Sequence, residues 1–278
     1  MHNQAFTTGT MLPAYLAKVG LAGAALEPDL PTLSELCRRH LLAFPYENLD
    51  VQLGRRVTRD PRHAFAKLVE AGRGGWCFEY NGLFAAMLEA AGFQVHRLAG
   101  AVMREAAGDA AIGNHLAPVV ELGGGLYLAD VAMGHFAPVP LAEGPIRHGW
   151  RAYSLERLAG GWWRFRNHPG QLPPSFDFSM EVHDPALMDA KCDFLQSDPD
   201  SPFVRNAIVQ RSWPDRMESL VGPTLTILDA AGEHHLAIGT EAEYAQVVRE
   251  RLGVSLGDVS SLWRKVSQAP KGGFLAAA

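Results

Sequence analysis

Hydrophobic residues in the first third of the chain recur at the three- and four-residue intervals of helices. The clearest case is the run in which Leu83, Phe84, Met87 and Leu88 share one face and Gly92 follows as a C-cap. This part of the chain is therefore predicted to be mainly helical. The predicted helices lie near residues 13–19 and 62–70 and over residues 33–42 and 78–91.

After residue 92 the pattern changes to short apolar or alternating runs, which are typical of strands. Glycines separate these runs at Gly123-Gly124-Gly125 and at Gly160-Gly161, as the turns of hairpins do. The pattern predicts an antiparallel sheet or a small barrel. The predicted strands cover residues 94–103, 115–122, 126–131, 152–158 and 162–166.

The C-terminal third has a mixed pattern. A segment rich in Ser, Asp and Pro, residues 196–202, separates it from the strands. The expected fold class is α+β, with a helical bundle over 1–92, a β-barrel over 93–196 and a mixed module over 197–278, which ends in a loose tail from Lys271. Within the third module we predict helices over 203–210 and 241–252 and strands over 224–228 and 235–238.

Composition narrows the class of partner. The chain has 278 residues, of which 47% are hydrophobic and 20% charged, and a formal net charge of -5, so it can bury a sizeable core. Its basic residues are scattered, which argues against nucleic acid and membrane surfaces and favours a small-molecule partner. No apolar run approaches the roughly 18 residues of a membrane span, and no signal peptide is recognisable, so a cytoplasmic location is expected. The oligomeric state is not indicated.

The three cysteines, Cys37, Cys77 and Cys192, are an odd number and lie far apart. This spacing favours neither a disulfide framework nor a paired zinc motif, so we expect reduced thiols and no metal site. Cys37 falls in a helical apolar pattern and is predicted to be a packed structural thiol. Cys192 follows Lys191 in a polar stretch and carries no further signal.

Cys77 differs from the other two because it ends a turn containing Gly74 and Gly75 and opens the predicted helix. A thiol at a helix N-terminus feels the positive end of the backbone dipole, which favours the thiolate. The alternative is that Cys77 is one more small buried hydrophobic residue. Its position after two glycines at a helix start favours a nucleophile.

A cysteine nucleophile needs a histidine to hold the thiolate and an acceptor to orient that histidine. His115 starts one predicted strand and Asp130 ends the next, so the two would be neighbours if the strands form a hairpin. His135, on the loop after Asp130, is the strongest competing base. His234-His235 suggests a metal cluster at first sight, but without a third ligand in phase it is predicted to be a solvated turn.

Nucleophilic chemistry also needs donors for an oxyanion. The backbone N–H of Cys77 is the natural candidate, with a second donor expected from the segment 131–134. Arg73 and Glu79 are predicted to form a structural ion pair that fixes the cysteine turn. GxSxG, GxxxxGK[ST] and strand-linked GxGxxG signatures are absent from the sequence, so the residues alone indicate a Cys-His-Asp enzyme of acyl-transfer or hydrolytic type.

Several segments resemble the motifs of one known family, the arylamine N-acetyltransferases. Residues 73–81, RGGWCFEYN, look like the family signature RGGxCxExN, and residues 44–50, FPYENLD, resemble its PFENLD segment. Residues 114–116, 128–131 and 201–211 are similar to the THL strand, the VDV strand and the SxF and QR stretch of the family. The matches occur in order and span nearly the whole chain.

The resemblance implies a helical bundle, a β-barrel and an α/β lid, with a papain-like site between the first two. It also implies ping-pong acetyl transfer from acetyl-CoA to an arylamine or hydrazine. Cys77 would be the nucleophile, His115 the base and ion-pair partner, and Asp130 the residue that orients it.

An arylamine acceptor has a low pKa and is neutral at neutral pH, so its pocket should be apolar and aromatic. The candidate lining residues are Phe44, Trp76, Met133 and Phe136, although Phe44 and Trp76 could equally fill the core. The family commonly continues Val-Gly-Phe-Gly after its aspartate, whereas this chain has Val-Ala-Met-Gly at residues 131–134. The acceptor pocket is therefore expected to be reshaped.

Three other functions remain open on the sequence. A related amide synthase or acyltransferase of natural-product assembly would use another acyl thioester or a carrier protein. A papain-like cysteine hydrolase would use water or a peptide instead of an amine. A non-catalytic binding protein is disfavoured by the presence of all three triad candidates.

Overall fold

The helices of the N-terminal part enclose an apolar core, in a computed structural model that describes residues 8–257 and 259–268. Asp29 and Asp60 each cap a helix that has proline in its first turn, and their carboxylates accept from the amides of Thr32 and Arg62. These elements are α1 (Thr8–Lys18), α2 (Leu30–Ala43), the short strand β1 (Tyr46–Glu47), α3 (Leu49–Gln52), α4 (Pro61–Phe65), continued by the π-helical turn Ala66–Glu70, and α5 (Cys77–Ala90).

Helix α5 is buried on all sides, from Cys77 through Leu88. It lies between α1 and α4 on one side and the first strands of the large sheet on the other. A helix that is apolar all round belongs in the middle of a protein. The predicted helix over 78–91 is thereby confirmed, with its start at the cysteine itself.

An eight-stranded antiparallel sheet follows, in the order β5-β4-β3-β2-β9-β8-β7-β6. Its two edge strands, β5 and β6, are joined by only residues 141–143, so the sheet is nearly closed into a barrel. The predicted antiparallel sheet or barrel is confirmed. The elements are β2 (Gln94–Val102), α6 (Arg104–Ala107), β3 (His115–Leu122), β4 (Gly125–Leu128), β5 (Val139–Pro140), β6 (Gly144–His148), β7 (Arg151–Arg157), β8 (Trp162–Arg166) and β9 (Ser175–Ser179).

The β3–β4 hairpin turns at Gly123 and Gly124, which have φ values of 59° and 78°. Backbone in this left-handed region favours glycine, so the triplet acts as predicted. The strand predicted over 126–131 ends earlier, at Leu128, because the chain turns at Asp130 and leaves the ladder.

The C-terminal part builds a second antiparallel sheet, in the order β1-β10-β11-β12-β13. Strand β1 therefore belongs to this sheet although it lies among the N-terminal helices in sequence. Tyr46 pairs with Gln210 and Glu47 with Val209. The elements are α7 (Pro185–Ser197), α8 (Pro202–Arg205), β10 (Ile208–Ser212), β11 (Arg216–Val221), β12 (Thr224–Asp229), β13 (Gly232–Ala237), α9 (Glu241–Gln246), continued by the π-helical turn Val247–Arg251, and α10 (Val259–Gln268).

Two sequence predictions in this part are wrong. The helix predicted over 203–210 is the short α8 followed by strand β10, because residues 208–212 pair with β1 and β11. The turn predicted at His234-His235 is part of strand β13, where both histidines are exposed and His235 contacts Thr226.

Helix α7 was not predicted. Met188, Cys192 and Leu195 form its buried face and pack in the same apolar cluster as Trp76 and Cys77. The module boundaries at residues 92 and 196 stay predictions, and the tail from Lys271 lies outside the described residues. No helix in the described ranges has the length and apolar character needed to cross a membrane.

Candidate active site

Two glycines bring the cysteine turn closer to its neighbours than side chains would allow. A Cβ atom on Gly74 would lie 2.2 Å from the Pro45 carbonyl oxygen, and one on Gly75 would lie 2.9 Å from Cβ of Glu79. Both distances are far inside van der Waals contact. This close packing positions Cys77 as the first residue of α5. Only 4% of the surface of Cys77 is exposed.

A buried charge network holds this turn from behind. Arg73 Nη2 lies 2.7 Å from Glu47 Oε1, while Lys67 Nζ lies 2.8 Å from Asp50 and 2.9 Å from Glu79. The predicted Arg73–Glu79 ion pair does not form, since each group has a nearer partner. Three carboxyls share two cations here, and burial raises the pKa of Glu79 to about 7 although Lys67 opposes the shift.

His115 and Asp130 meet as the hairpin predicted. His115 Nε2 lies 2.6 Å from Asp130 Oδ2, and the two side chains are 1% and 0% exposed. His115 begins β3, and Asp130 lies two residues past the end of β4. Because Nε2 is held by the carboxylate, Nδ1 is the ring nitrogen left for Cys77, whose thiol interacts with this imidazole.

The electrostatics of the pair favour its charged form. Burial alone would lower the pKa of His115, but the charge and hydrogen bond of Asp130, together with Cys77, raise it to about 10. Burial acts upward on the pKa of Asp130, and the charge of His115 outweighs it and holds that pKa below its usual value. Near neutral pH the arrangement is therefore an imidazolium beside a carboxylate.

Asn81 joins the cysteine helix to this pair and was not singled out from the sequence. Its Nδ2 donates to the Leu116 carbonyl and to Asp130 Oδ1, both at 2.7 Å, and its Oδ1 accepts from the Ala132 N–H at 3.1 Å. The available signal was its position four residues after Cys77, on the same face of the helix. Its hydrogen-bond partners come from the β3–β4 region, so the sequence around Asn81 does not predict them.

His135, the competing base, is placed elsewhere. Its side chain is 1% exposed, and neither ring nitrogen has a hydrogen-bond partner within the described part of the chain. The ring packs 4.3 Å from Phe165 and 5.1 Å from Tyr153, between ring centroids. Burial lowers its pKa to about 4, so it is a neutral core residue at neutral pH.

Three of the four amides in segment 131–134, from which a second oxyanion donor was expected, already have partners. The Ala132 N–H donates to Asn81, the Met133 N–H to Asp130 Oδ1 at 3.2 Å, and the Gly134 N–H to a carbonyl of the same turn. These three amides are occupied in holding the turn. They are therefore not available to an oxyanion.

A cavity of about 460 Å³ opens against Cys77 and His115. Its walls are mainly apolar, which suits an uncharged organic ligand. Met133, one of the four predicted lining residues, lines this cavity, and Phe44 lines a much smaller one beside it. Side chains from the barrel, from α7 and α8 and from the C-terminal sheet complete the wall, among them Met103, Phe194, Leu195, Phe203, Met217 and Leu228.

The other two predicted lining residues, Trp76 and Phe136, do not line the large cavity. Trp76 is fully buried and packs edge-on against Phe78 and Phe203, with centroids 5.6 and 5.1 Å apart. Phe136 packs against the helical core and under the guanidinium of Arg151, at 5.0 Å. Large aromatic side chains contribute most to stability when fully buried, which explains the position of Trp76, whereas Phe136 is only partly buried.

Comparisons with known proteins find similar proteins over most of the chain. A family model described as N-acetyltransferase matches residues 29–260. The arylamine N-acetyltransferase of Mycolicibacterium smegmatis is 32% identical over 260 residues, covering 90% of this chain and 94% of that protein. The arylamine N-acetyltransferase of Escherichia coli strain K12 is 30% identical over 270 residues, covering 91% and 85%.

Solved structures are similar over the same length. The arylamine N-acetyltransferase from Mycobacterium abscessus has a TM-score of 0.83 at 30% identity, with 96% of this chain and 99% of that chain covered. The Mycobacterium marinum protein, solved in complex with CoA, has a TM-score of 0.82 at 26% identity, with 92% and 98% covered. The similarity thus includes the helices, the barrel and the C-terminal sheet.

Proposed function

The chain belongs to the arylamine N-acetyltransferase family, and from this premise we propose that it transfers an acetyl group from acetyl-CoA to the nitrogen of an arylamine or hydrazine through a thioester on Cys77. The observation that carries the proposal is the buried His115–Asp130 pair, whose imidazole interacts with the Cys77 thiol at the wall of an apolar cavity. Acetyl-CoA as the donor is supported by the relative solved with CoA.

The first half-reaction loads the enzyme. The Cys77 thiolate attacks the thioester carbonyl carbon of acetyl-CoA, a new S–C bond forms, and the carbonyl electrons move onto oxygen. Collapse of this oxyanion breaks the bond to the CoA sulfur. The imidazolium of His115 gives its proton to that sulfur and becomes a neutral imidazole, which leaves acetyl-Cys77 and free CoA.

The second half-reaction transfers the acetyl group from Cys77 to the amine. The amine nitrogen attacks the acetyl carbon, and neutral His115 takes a proton from the nitrogen. The sulfur of Cys77 leaves as a thiolate, which restores the ion pair with the imidazolium. Asp130 keeps Nδ1 of His115 turned towards the sulfur in both halves, and Asn81 holds Asp130 in position.

The cavity supports an uncharged acceptor. Arylamines are neutral near pH 7, so they enter an apolar pocket without the desolvation cost of an ammonium ion. We propose that Met133, and Phe44 through the adjoining small cavity, contact the acceptor. The flexible thioether of Met133 stands where the family motif has phenylalanine, which favours acceptors of less regular shape than a flat ring.

The test is intact-mass measurement after incubation with acetyl-CoA. The wild-type protein should gain one acetyl group, and Cys77→Ser should gain none while keeping its circular dichroism spectrum. Cys37 and Cys192 serve as internal controls, because both are buried and burial raises their pKa, that of Cys192 to about 12. Acetylation that survives in Cys77→Ser would remove the assignment of the nucleophile.

The same assay separates the alternatives. Loading by other acyl thioesters or an acyl carrier protein, with none by acetyl-CoA, would indicate an amide synthase. Acetyl loss at a rate that added arylamine does not change would indicate a hydrolase. The proposed partners are a small-molecule amine and a CoA thioester. The proposed mechanism uses no metal. The cytoplasmic location and the lack of nucleic-acid or membrane partners stay predictions from the sequence.

A further inference from the structure

Tyr46 is fixed beside the nucleophile by backbone pairing on both of its sides. It forms a parallel bridge with Gly75, where the Glu47 N–H donates to the Gly75 carbonyl at 2.9 Å. On its other side it pairs with Gln210 of β10. The residue bridged to Tyr46 lies two positions before Cys77, so the register of β1 sets where the phenol ring stands.

The phenol hydroxyl of Tyr46 faces Cys77. It interacts with both the backbone N–H and the thiol of that residue, and Tyr46 lines the cavity together with Cys77 and His115. Burial, followed by the negative charge of Cys77 and of Asp130, raises the pKa of this phenol well above its usual value. The hydroxyl therefore keeps its proton and remains a donor throughout the pH range in which the enzyme would work.

Three of the four amides in the segment expected to supply a second oxyanion donor, those of Ala132, Met133 and Gly134, are already bonded. The family segment PFENLD has phenylalanine where this chain has Tyr46, and phenylalanine has no hydroxyl. The extra oxygen atom in this chain lies beside the Cys77 N–H, a backbone donor at the start of α5.

We propose that Tyr46 is a further catalytic residue, whose hydroxyl accepts a hydrogen bond from the Cys77 N–H and donates one to the oxyanion formed on the acyl carbonyl. No proton is transferred to the oxyanion; the phenol stabilises the charge that appears when the S–C bond forms and disappears when the bond to the leaving group breaks. The inference deepens the proposed function, and it requires only that Cys77 is acylated.

The experiment compares two reactions of Cys77 in Tyr46→Phe, which keeps the ring and both backbone pairings. Acylation by p-nitrophenyl acetate forms an oxyanion, whereas alkylation by iodoacetamide does not. Measured at pH values where each rate has reached its plateau, acylation should slow at least about tenfold, as expected for loss of an oxyanion donor. Alkylation should stay within about twofold of wild type, and the acyl-donor concentration at half saturation, measured with acetyl-CoA, should change little.

Tyr80→Phe is the matched control. Tyr80 is buried, its ring lies 6.4 Å from that of Tyr46, and its hydroxyl donates to the Phe44 carbonyl at 2.8 Å instead of facing Cys77. It should lose stability without a selective loss of acylation.

Equal slowing of both reactions in Tyr46→Phe, no slowing of acylation, or the same selective loss in Tyr80→Phe would each overturn the assignment. Wild-type protein that reacts with p-nitrophenyl acetate but not with acetyl-CoA would instead contradict the proposed donor. The two proposals therefore fail in different measurements.

Discussion

Asn81 donates a 2.7 Å hydrogen bond to Asp130 from the helix that begins with Cys77. The amide also binds the Leu116 carbonyl and the Ala132 N–H, so it ties the nucleophile helix to both ends of the segment that presents the His–Asp pair. The three residues of the proposed triad come from different parts of the sequence. The side-chain amide of Asn81 connects the segments that carry them.

Replacing Asn81 by alanine should weaken both the fold and the site. Three buried polar groups would lose a partner, and we expect a loss of about 3 kcal/mol in the free energy of unfolding. Acetylation of Cys77 should slow roughly ten- to a hundredfold, because a hydrogen bond to a charged group is worth about 1.5–3 kcal/mol. Urea unfolding and single-turnover acetylation measure the two effects.

Asn48→Ala is the control for this prediction. Asn48 is also buried and also binds backbone groups, at Phe203, Asn206 and Ile208, but it does not touch the triad. This variant should lose comparable stability and keep its acetylation rate within about threefold of wild type. A threefold change is smaller than the change expected for loss of one hydrogen bond to a charged group. Equal rate losses in the two variants would mean that Asn81 acts only through stability.

Asp130→Asn should nearly abolish acetylation with little change in shape. Without the carboxylate charge, burial dominates and the pKa of His115 should fall below its usual value, so the imidazole is neutral at pH 7. The expected fall in acetylation rate is roughly a thousandfold or more.

Asp177→Asn is the matched control, because it removes a different buried carboxylate. Asp177 is fully buried and is bound by Arg164 at 2.7 Å, on β9 and outside the cavity wall. Its loss should cost stability and leave acetylation of Cys77 within about threefold of wild type. Near-normal acetylation by the Asp130 variant would show that the histidine needs no orienting acid.

Glu79 should make stability fall as pH rises. Its folded pKa, about 7, lies above the ordinary value of 4.5, so the stability that its protonated form supplies is complete below pH 4.5 and is lost by about pH 7. At about 1.4 kcal/mol per pKa unit, the loss is at most about 3.5 kcal/mol. Urea unfolding of wild type and Glu79→Gln at several pH values from about 4.5 to 8 measures it as the difference between the two curves.

Glu35→Gln should show no such slope. The hydrogen bonds and charge of Arg38 lower the pKa of Glu35 to about 2, so its contribution is present above its ordinary value and is lost only in more acidic solution. A difference between wild type and the Glu79 variant that stays constant with pH would mean that Glu79 is ionised throughout the range.

Gly74→Ala should be among the most damaging single methyl additions in the chain. The new Cβ would overlap the Pro45 carbonyl oxygen, which is backbone and cannot rotate away. We expect a loss of about 3 kcal/mol or more in unfolding free energy and a slower alkylation of Cys77.

Gly82→Ala is the counterpart within α5. Its Cβ would meet nothing nearer than 3.9 Å, and alanine is the better helix former by up to about 1 kcal/mol. This variant should be as stable as wild type or slightly more so. A stable, fully reactive Gly74→Ala would contradict the tight packing of the cysteine turn.

Local patterns predicted the site better than its surroundings. The start of α5 and the meeting of His115 with Asp130 follow from glycine turns and hairpin register, which are properties of short segments. Asp130 itself stands beyond its strand, because its carboxylate accepts the Met133 N–H and closes a turn. That detail depends on a single side-chain bond, which periodicity does not reveal.

The missed features depend on contacts between distant segments. Helix α7 has apolar residues Met188, Cys192 and Leu195 at helical spacing and an Asp-Pro start, but the polar residues between them obscure this pattern. The sequence left Trp76 equally open to the pocket and the core, and its burial against Phe203 depends on the C-terminal part of the chain. Residue type alone does not distinguish an aromatic core residue from a ligand contact.

The two-residue strand β1 is synthesised early, but its pairing partner is synthesised late. The neighbouring bond from Ile208 to Asn48 spans 160 residues of sequence, and Tyr46 and Glu47 have their ladder partners in the same distant strand. Contacts of such separation form late because a long loop must close first. A nascent chain that has completed its cysteine helix and barrel therefore still lacks the ladder partners of Tyr46 and Glu47, and we expect acetylation of Cys77 only after the last quarter of the chain has folded.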